Sequence, residues 1–185
     1  MVAIFYFPGY TVQDSQEKRP IKETCIIKES RKENLMHKIL FVCLGNICRS
    51  PMAEYVMKDL VKKAGCADAF EIASAATSDE EHGNPVYPPA RRMLARHGIE
   101  CAGHAARQIT RRDFSYYDFI ICMDESNLRN LKWMGGSDCP EKLHMLLDFT
   151  SHPGNVADPW YTGNFEVTWQ DVLDGCTGLL HWLEQ

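Results

Sequence analysis

Residues 39–57, which read ILFVCLGNICRSPMAEYVM, constrain the fold of this chain more than any other stretch. Four apolar residues lead into Cys43, and the chain then becomes polar, includes a glycine and turns helical at Pro51. A short apolar run bounded by a turn is typical of a buried strand. A strand that passes directly into a helix is the repeating unit of an α/β protein with a parallel sheet.

The same alternation continues along the chain. Short apolar runs predict three further strands, and segments with helical spacing separate them. We therefore expect a single-domain α/β fold, Rossmann-like, with a central four-stranded parallel sheet flanked by helices. The predicted strands are 38–43, 70–76, 118–123 and 142–147, the predicted internal helices are 51–64, 89–98 and 125–134, and a last helix has an apolar face made by Phe165, Trp169, Val172, Leu173, Cys176, Leu180 and Leu183.

Residues 1–35 differ in character from the rest of the chain. After Tyr10 they are rich in charge and have neither strand nor helix periodicity, which predicts a flexible N-terminal extension. Met36 opens the predicted domain, 36–185. Translation that starts at Met36 is one explanation of this boundary, and an extension with an interaction role is the second.

The composition disfavours several classes of function. A net charge of −5 argues against a nucleic-acid binder, and no apolar run is long enough to span a membrane. The N-terminus lacks the basic start and the cleavage site of a signal peptide, so the eight cysteines are expected to be reduced thiols in the cytoplasm. Cys43 and Cys48 have no second Cys/His pair to complete a metal site, and we expect no metal or other cofactor.

The segment after the first strand has the features of an anion-binding loop. Gly45 provides a left-handed or close-approach backbone position, and Asn46 is a residue type that tolerates one. Ser50 is predicted to cap the following helix and Pro51 to be its first residue, so the positive helix end points at the loop. Inward N–H groups suit a tetrahedral dianion, and Arg49 can bind two of its oxygens at once.

Cys43 is the candidate nucleophile at the base of this loop. Inward N–H groups, a helix N-terminus and a guanidinium all favour the thiolate over the thiol. Each of these features alone is more often structural, but their combination puts a nucleophile directly beneath a bound phosphorus. The residues by themselves indicate phosphoryl or oxyanion transfer by a thiolate.

The string CLGNICRSP resembles the active-site signature of the low-molecular-weight protein-tyrosine-phosphatases, a cysteine and an arginine-serine pair separated by five residues. The resemblance runs from about Met36 to the C-terminus. It continues through SAATS at 74–78, GHAARQIT at 103–110, CMDESNLRNL at 122–131 and DPWY at 158–161.

The resemblance implies a role for each matching residue. Cys43 would be the nucleophile, Arg49 the phosphate clamp, and Asp158 of the Asp-Pro pair the general acid and then base. Ser50 would stabilise the sulfur as a leaving group, and Trp160 and Tyr161 would form an aromatic wall against the phosphotyrosine ring. The implied substrate-binding residues are Leu44, Gly45, Asn46, Ile47, Cys48, Ser50, Trp160 and Tyr161.

Other matching residues have a supporting role in the resemblance. Asn46, Ser74 and Asp124 would tie the loop into a hydrogen-bond network, although Asp124 could equally cap the helix that follows it. His104 is a further candidate for the network, with an ordinary buried histidine as the alternative. Cys48 beside Cys43 implies a disulfide that forms reversibly under peroxide. The arginines predicted on solvated surfaces are Arg91, Arg92, Arg96, Arg111 and Arg112.

Three other functions fit the same fold and loop. Arsenate reductases of this superfamily need two further cysteines on a mobile segment, whereas Cys122 falls in a predicted strand and Cys101 has no partner at that spacing. Protein-arginine phosphatases tend to have threonine where this chain has Ile47, and a smaller site where it has Trp160 and Tyr161. A non-catalytic phosphate-binding module is the third alternative.

One departure from the family bears on specificity. Glu80 stands where the family often has an aromatic residue in the variable loop beside the site, which predicts that acidic sequences flanking the phosphate are disfavoured. The substrates implied by the resemblance are phosphotyrosine-containing proteins, an autophosphorylating tyrosine kinase among the candidates. The protein itself is expected to be a monomer or weak dimer.

Overall fold

The computed structural model describes residues 36–135 and 140–185. The predicted N-terminal extension, residues 1–35, lies outside the described residues, and so do Cys25 and Cys139. None of the helices in the described ranges is long and apolar enough to cross a membrane.

Strands and helices alternate as expected. The strands are β1 (His37–Cys43), β2 (Phe70–Ala76), β3 (Phe119–Cys122) and β4 (Leu143–Met145), and the helices are α1 (Arg49–Lys63), α2 (Pro88–Arg96), α3 (Arg111–Tyr116), α4 (Glu125–Gly135), α5 (Pro159–Thr162) and α6 (Phe165–Leu183). All strand pairs are parallel, and the strand order is β2-β1-β3-β4. The predicted four-stranded parallel α/β fold is confirmed.

The sheet is covered on both faces, and β1 runs through its centre. Ile39, Phe41 and Cys43 point into the core shared with α1, α2 and α6. Leu40 and Val42 point into the opposite core, with side chains from α3 and α4. A strand buried on both faces must be apolar at every position, which explains the uninterrupted run that precedes Cys43.

Three segments differ from the sequence-based expectation, and one of them is the short helix α5 (Pro159–Thr162), which was not predicted. The predicted strand 142–147 ends at Met145, because residues 146–149 form a 3₁₀ turn in which Asp148 accepts the Met145 N–H. Helix α3 was not predicted; its start carries a Thr-x-x-Asp signal, and the Asp113 carboxylate accepts the Thr110 N–H at 2.7 Å.

Glycines let α6 approach the 146–149 turn closely. A Cβ at Gly175 would lie 2.4 Å from the Leu146 side chain, and one at Gly178 would lie 2.1 Å from the Phe149 carbonyl oxygen. The second obstacle is backbone and cannot move aside as a side chain does. The apolar face predicted for this helix is buried against α1 and the turn as expected.

The Gly178→Ala variant should therefore lose about 3 kcal/mol of unfolding free energy through overpacking, although alanine favours helix intrinsically. The matched control is Val167→Ala, an exposed position in the same helix, which should change it by less than about 0.5 kcal/mol. Urea unfolding measures both. Equal stability of the two variants would contradict the close packing of α6 on the turn.

Candidate active site

A five-residue loop, 44–48, joins β1 to α1 at the carboxyl end of the sheet. Asn46 adopts the left-handed conformation, with φ of 56°, and is fully buried. Gly45 serves the close approach rather than a positive φ, because a Cβ there would lie 3.1 Å from the Glu81 side chain. The left-handed position expected in this turn is therefore occupied by Asn46, and the close-approach position is occupied by Gly45.

The Cys43 thiol lies at the base of this loop with 3% of the residue exposed. Its Sγ is 3.0 Å from the Ser50 hydroxyl and accepts the backbone N–H of Asn46 at 3.3 Å. The expected cap by Ser50 is wrong, because α1 begins at Arg49 and the Ser50 hydroxyl faces the sulfur instead. Both neighbours can donate to a thiolate.

Asn46 is the centre of a buried hydrogen-bond network. Its Nδ2 donates to Ser50 Oγ at 2.9 Å and to Ser74 Oγ at 2.8 Å, and its Oδ1 accepts the Arg107 N–H at 3.2 Å. The Asn46 carbonyl accepts from His104 Nε2 at 2.8 Å. The network predicted from the sequence is therefore present, and His104 belongs to it.

A buried carboxylate, Glu54, supports this network from α1. Ser74 Oγ donates to Glu54 Oε2 at 2.5 Å, and Lys58 Nζ pairs with Oε1 at 2.5 Å. Sequence reasoning missed Glu54. Its signal is an acidic residue four positions before a lysine and within the buried stripe of the helix.

Arg49 is 4% exposed and contacts two carboxylates. Its Nη1 donates to Asp124 at 2.5 Å and its Nη2 lies 2.6 Å from Asp158 Oδ2. Burial alone would lower the pKa of Arg49, but the neighbouring Cys43, Asp124 and Asp158 outweigh it and raise the pKa. The guanidinium is thus charged and fixed in direction at the mouth of the loop.

The two carboxylates are held by the helices that follow them. Asp124 accepts the Asn127 N–H at 2.7 Å, so it caps α4 and also binds Arg49; the two alternatives for this residue hold together. Asp158 caps the short α5 through the Trp160 N–H at 3.0 Å. Capping fixes each carboxylate without using the oxygen that faces Arg49.

Aromatic side chains stand beside this mouth. Trp160 is 59% exposed and Tyr161 82% exposed, and the Trp160 ring lies 5.5 Å from that of Tyr87. Tyr87 donates its backbone N–H to the Ile47 carbonyl at 2.8 Å, which ties the wall to the loop. Sequence reasoning missed Tyr87 because an aromatic residue before a Pro-Pro pair has no distinctive spacing.

The variable loop presents acidic side chains to the same region. Glu81, which sequence reasoning passed over, packs against Gly45, whereas Glu80 is exposed next to it. Asn84 Nδ2 donates to Glu81 Oε2 at 2.7 Å and orients that carboxylate.

Cys48 is buried in the loop, where ionisation of its thiol is disfavoured. Burial, together with the charges of Cys43, Asp158 and Glu81, raises its pKa to about 12, although Arg49 acts to lower it. Cys48 is therefore a protonated thiol at neutral pH.

The remaining sequence-predicted residues lie as follows. Leu44 is 45% exposed at the start of the loop, and Ile47 is half-buried. Cys122 lies in β3, as expected, and Cys101 is a buried free thiol. The five arginines predicted on solvated surfaces, Arg91, Arg92, Arg96, Arg111 and Arg112, are all exposed. Over the described ranges, no group of three acidic, histidine or cysteine side chains is arranged to hold a metal ion.

These features define a class: a parallel α/β protein with a buried thiol at the base of the loop between β1 and α1, beside an arginine that contacts two aspartates. Comparison with known proteins narrows the class. The family model for low molecular weight phosphotyrosine protein phosphatase matches residues 38–185. The chain belongs to this family.

Individual relatives agree with the family match. The low molecular weight protein-tyrosine-phosphatase YfkJ of Bacillus subtilis is 42% identical over 147 residues, which cover 78% of this chain and 94% of YfkJ. The YfkJ crystal structure matches with a TM-score of 0.78, over 80% of this chain and 94% of that one. The Rattus norvegicus low molecular weight phosphotyrosine protein phosphatase is 44% identical over 77% of this chain and 92% of its own length.

A Drosophila arginine phosphatase also has the fold. Its structure matches with a TM-score of 0.74 and 29% identity, over 80% of this chain and 98% of that one.

The buried network makes a prediction about stability. Asn46→Ala leaves Ser50, Ser74 and Arg107 short of a partner and forces alanine into a left-handed conformation, so the free energy of unfolding should fall by about 3 kcal/mol. Asn46→Gly loses the same hydrogen bonds, but glycine adopts the left-handed conformation without a penalty. Its free energy of unfolding should therefore fall by about 1 kcal/mol less than that of Asn46→Ala.

The control for both is Leu44→Ala, an exposed position in the same loop, which should change the free energy of unfolding by less than about 1 kcal/mol. Urea denaturation measures all three variants. A loss in Leu44→Ala as large as in Asn46→Ala would contradict the central role of Asn46.

Proposed function

We propose that this protein is a protein-tyrosine-phosphatase that hydrolyses phosphotyrosine and aryl phosphate monoesters through a cysteinyl-phosphate intermediate. The observation that carries the proposal is the convergence of Cys43, Arg49 and Asp158 at the end of β1, with Nη2 of Arg49 2.6 Å from Asp158. A nucleophile, a phosphate clamp and a proton donor are the three groups that this reaction needs.

In the first step, the Cys43 thiolate attacks phosphorus and forms the S–P bond as the P–O bond to the tyrosine breaks. The backbone of residues 44–49 and the Arg49 guanidinium bind the phosphate oxygens. Asp158 donates its proton to the departing phenolate, which becomes the neutral phenol of tyrosine. Because Asp158 also contacts Arg49, bound phosphate oxygens compete with it for Nη2 and free it for this task.

In the second step, water attacks phosphorus and the S–P bond breaks. Asp158, now ionised, takes a proton from the water, and Cys43 leaves as a thiolate. The Asn46 N–H and the Ser50 hydroxyl stabilise the sulfur as charge returns to it. The Ser50 proton has a second acceptor, the Ala75 carbonyl at 3.3 Å, so it can turn between the two.

The preference for tyrosine rests on the aromatic wall. Trp160 and Tyr161 offer exposed faces against which a phenyl ring packs, and Tyr87 supports Trp160 from behind. Ile47 adds an apolar contact. Acidic flanking residues on the side of the variable loop should be disfavoured by Glu80 and Glu81.

We further propose phosphotyrosine-containing proteins, including an autophosphorylating tyrosine kinase, as substrates and a monomer or weak dimer as the working form. A reducing compartment such as the cytoplasm fits the requirement for a free Cys43 thiol.

Hydrolysis of phosphotyrosine peptides, phosphoarginine peptides and nitrophenyl phosphate tests the function, with a reductant and without metal. Cys43→Ser should abolish all turnover. Asp158→Ala should lower kcat on phosphotyrosine by about 10²- to 10⁴-fold. With nitrophenyl phosphate, whose acidic phenol leaves without protonation, this variant should slow the release of the phenol far less than the later hydrolysis of the cysteinyl-phosphate.

Two other outcomes of this hydrolysis experiment would favour alternative functions. Faster turnover of phosphoarginine than of phosphotyrosine would be compatible with the cysteinyl-phosphate mechanism. It would contradict the proposed roles of Ile47 and the aromatic wall in the preference for phosphotyrosine. No turnover of any of the three would contradict the proposed function and favour a phosphate-binding module or arsenate chemistry.

We also propose that Cys48 protects Cys43 from peroxide. Peroxide oxidises the Cys43 thiolate to a sulfenic acid and is reduced to water, and the Cys48 thiolate then displaces that oxygen as water to form the disulfide. Because the pKa of Cys48 is about 12, its thiolate fraction rises tenfold per pH unit near neutrality. Disulfide formation should therefore accelerate with pH.

The test compares activity recovered by thiol after peroxide in the wild type and in Cys48→Ser. The wild type should recover fully and the variant only in part, and the buried Cys101→Ser serves as the control. Equal recovery in Cys48→Ser would overturn the protective role.

A further inference from the structure

A groove of about 720 Å³ lies next to the aromatic wall. It is bounded by α2, by α5 and by the start of α6, and it shares Tyr87 and Trp160 with the wall. Met93 and Phe165 contribute apolar surface to it. The groove and the aromatic wall therefore share the Trp160 side chain.

The groove has a cation available for binding. Two arginines of α2 line it, Arg92 and Arg96. Arg96 donates to Glu166 at 2.8 Å, and this pair is neutral as a unit. Arg92 is exposed, and within residues 36–135 and 140–185 no carboxylate is paired with it. The start of α6 adds the positive end of a helix dipole.

The groove adjoins the segment that carries Asp158 of the proposed phosphotyrosine site. Pro159 and Trp160 line it, and they directly follow Asp158, which contacts Arg49. A peptide whose phosphotyrosine ring packs on one side of Trp160 has its neighbouring residues at the rim of the groove.

We propose that this groove is a specificity subsite for an acidic side chain that flanks the phosphotyrosine, with Arg92 as the group that binds it. This inference rests on the proposed function. A guanidinium binds a carboxylate through two parallel hydrogen bonds. The methylene groups of a glutamate side chain would pack on Met93 and Phe165.

The subsite makes the effect of peptide charge depend on position. An acidic residue near Glu80 and Glu81 is repelled, whereas one that reaches Arg92 is attracted. The substrate preference is thus for a particular placement of the acidic residue rather than for acidic peptides in general.

The experiment uses the full chain and phosphotyrosine peptides in which a single glutamate is moved through each position within four residues of the phosphotyrosine in an alanine background. The variant is Arg92→Glu. The matched control is Arg91→Glu, the same charge reversal at an exposed neighbouring position of α2 that does not line the groove. Nitrophenyl phosphate, which has no flanking residues, reports on the catalytic groups alone.

In the wild type, glutamate at one position should raise kcat/KM about two- to five-fold over alanine, the gain expected of a partly exposed ion pair. This gain should be lost or inverted in Arg92→Glu and kept in Arg91→Glu, with turnover of nitrophenyl phosphate unchanged in both. The gain should also shrink as salt is raised.

Several results would overturn the subsite. These are no position at which glutamate is favoured, a preference that survives in Arg92→Glu, or an equal loss in Arg91→Glu, which would indicate long-range attraction only. Wild-type protein that hydrolyses neither peptides nor nitrophenyl phosphate would overturn the proposed function, and the subsite with it.

Discussion

The side-chain amide of Asn46 is buried, and its hydrogen bonds hold the loop in the conformation on which the site depends. The backbone at this residue is left-handed, which costs energy for any residue with a side chain, and the hydrogen bonds to Ser50, Ser74 and Arg107 offset that cost. With the backbone turned this way, the Asn46 N–H points at Cys43 Sγ. The locally unfavourable conformation of Asn46 is therefore the one that directs a backbone N–H at the Cys43 sulfur.

Charge at the mouth of the loop is arranged around Arg49. Two carboxylates face the guanidinium, and each is also fixed by a helix N-terminus that it caps. Asp124 is the orienting partner and Asp158 the one positioned towards the aromatic side chains. The same arrangement separates two cysteines that are near neighbours in sequence: Cys43 has donors around its sulfur, while burial and adjacent negative charge raise the pKa of Cys48.

The sequence predicted most of the fold because its signals are periodic and local. The apolar runs of β1, β2 and β3 and the buried face of α6 were recognisable since each is repeated over several residues. The end of β4 was not, because Leu146 and Leu147 are as apolar as strand residues, yet they lie in a turn whose Leu146 side chain packs on Gly175 and whose Phe149 carbonyl packs on Gly178. That packing is a long-range contact.

The same distinction applies to the site. Cys43, Arg49 and Ser50 lie within eight positions of one another, so their motif was legible, and resemblance added Asp158. Glu54, Tyr87 and Glu81 were missed because each acts through a contact with a distant residue. Ser50 is a residue type that often caps helices, but its hydroxyl contacts the Cys43 thiol and the Asn46 amide instead. These contacts depend on the folded structure and cannot be predicted from residue type.

The proposed mechanism requires a covalent bond between Cys43 and phosphorus. This bond can be detected by rapid acid quenching of Asp158→Ala during turnover of nitrophenyl phosphate, followed by mass spectrometry of its peptides. The first step does not need the aspartate with this substrate and the second does, so the intermediate should accumulate. We expect one phosphoryl group on the peptide that contains Cys43 and none in the Cys43→Ser, Asp158→Ala double variant. A phosphoryl group on another residue, or turnover without any phosphorylated peptide, would contradict the proposed mechanism.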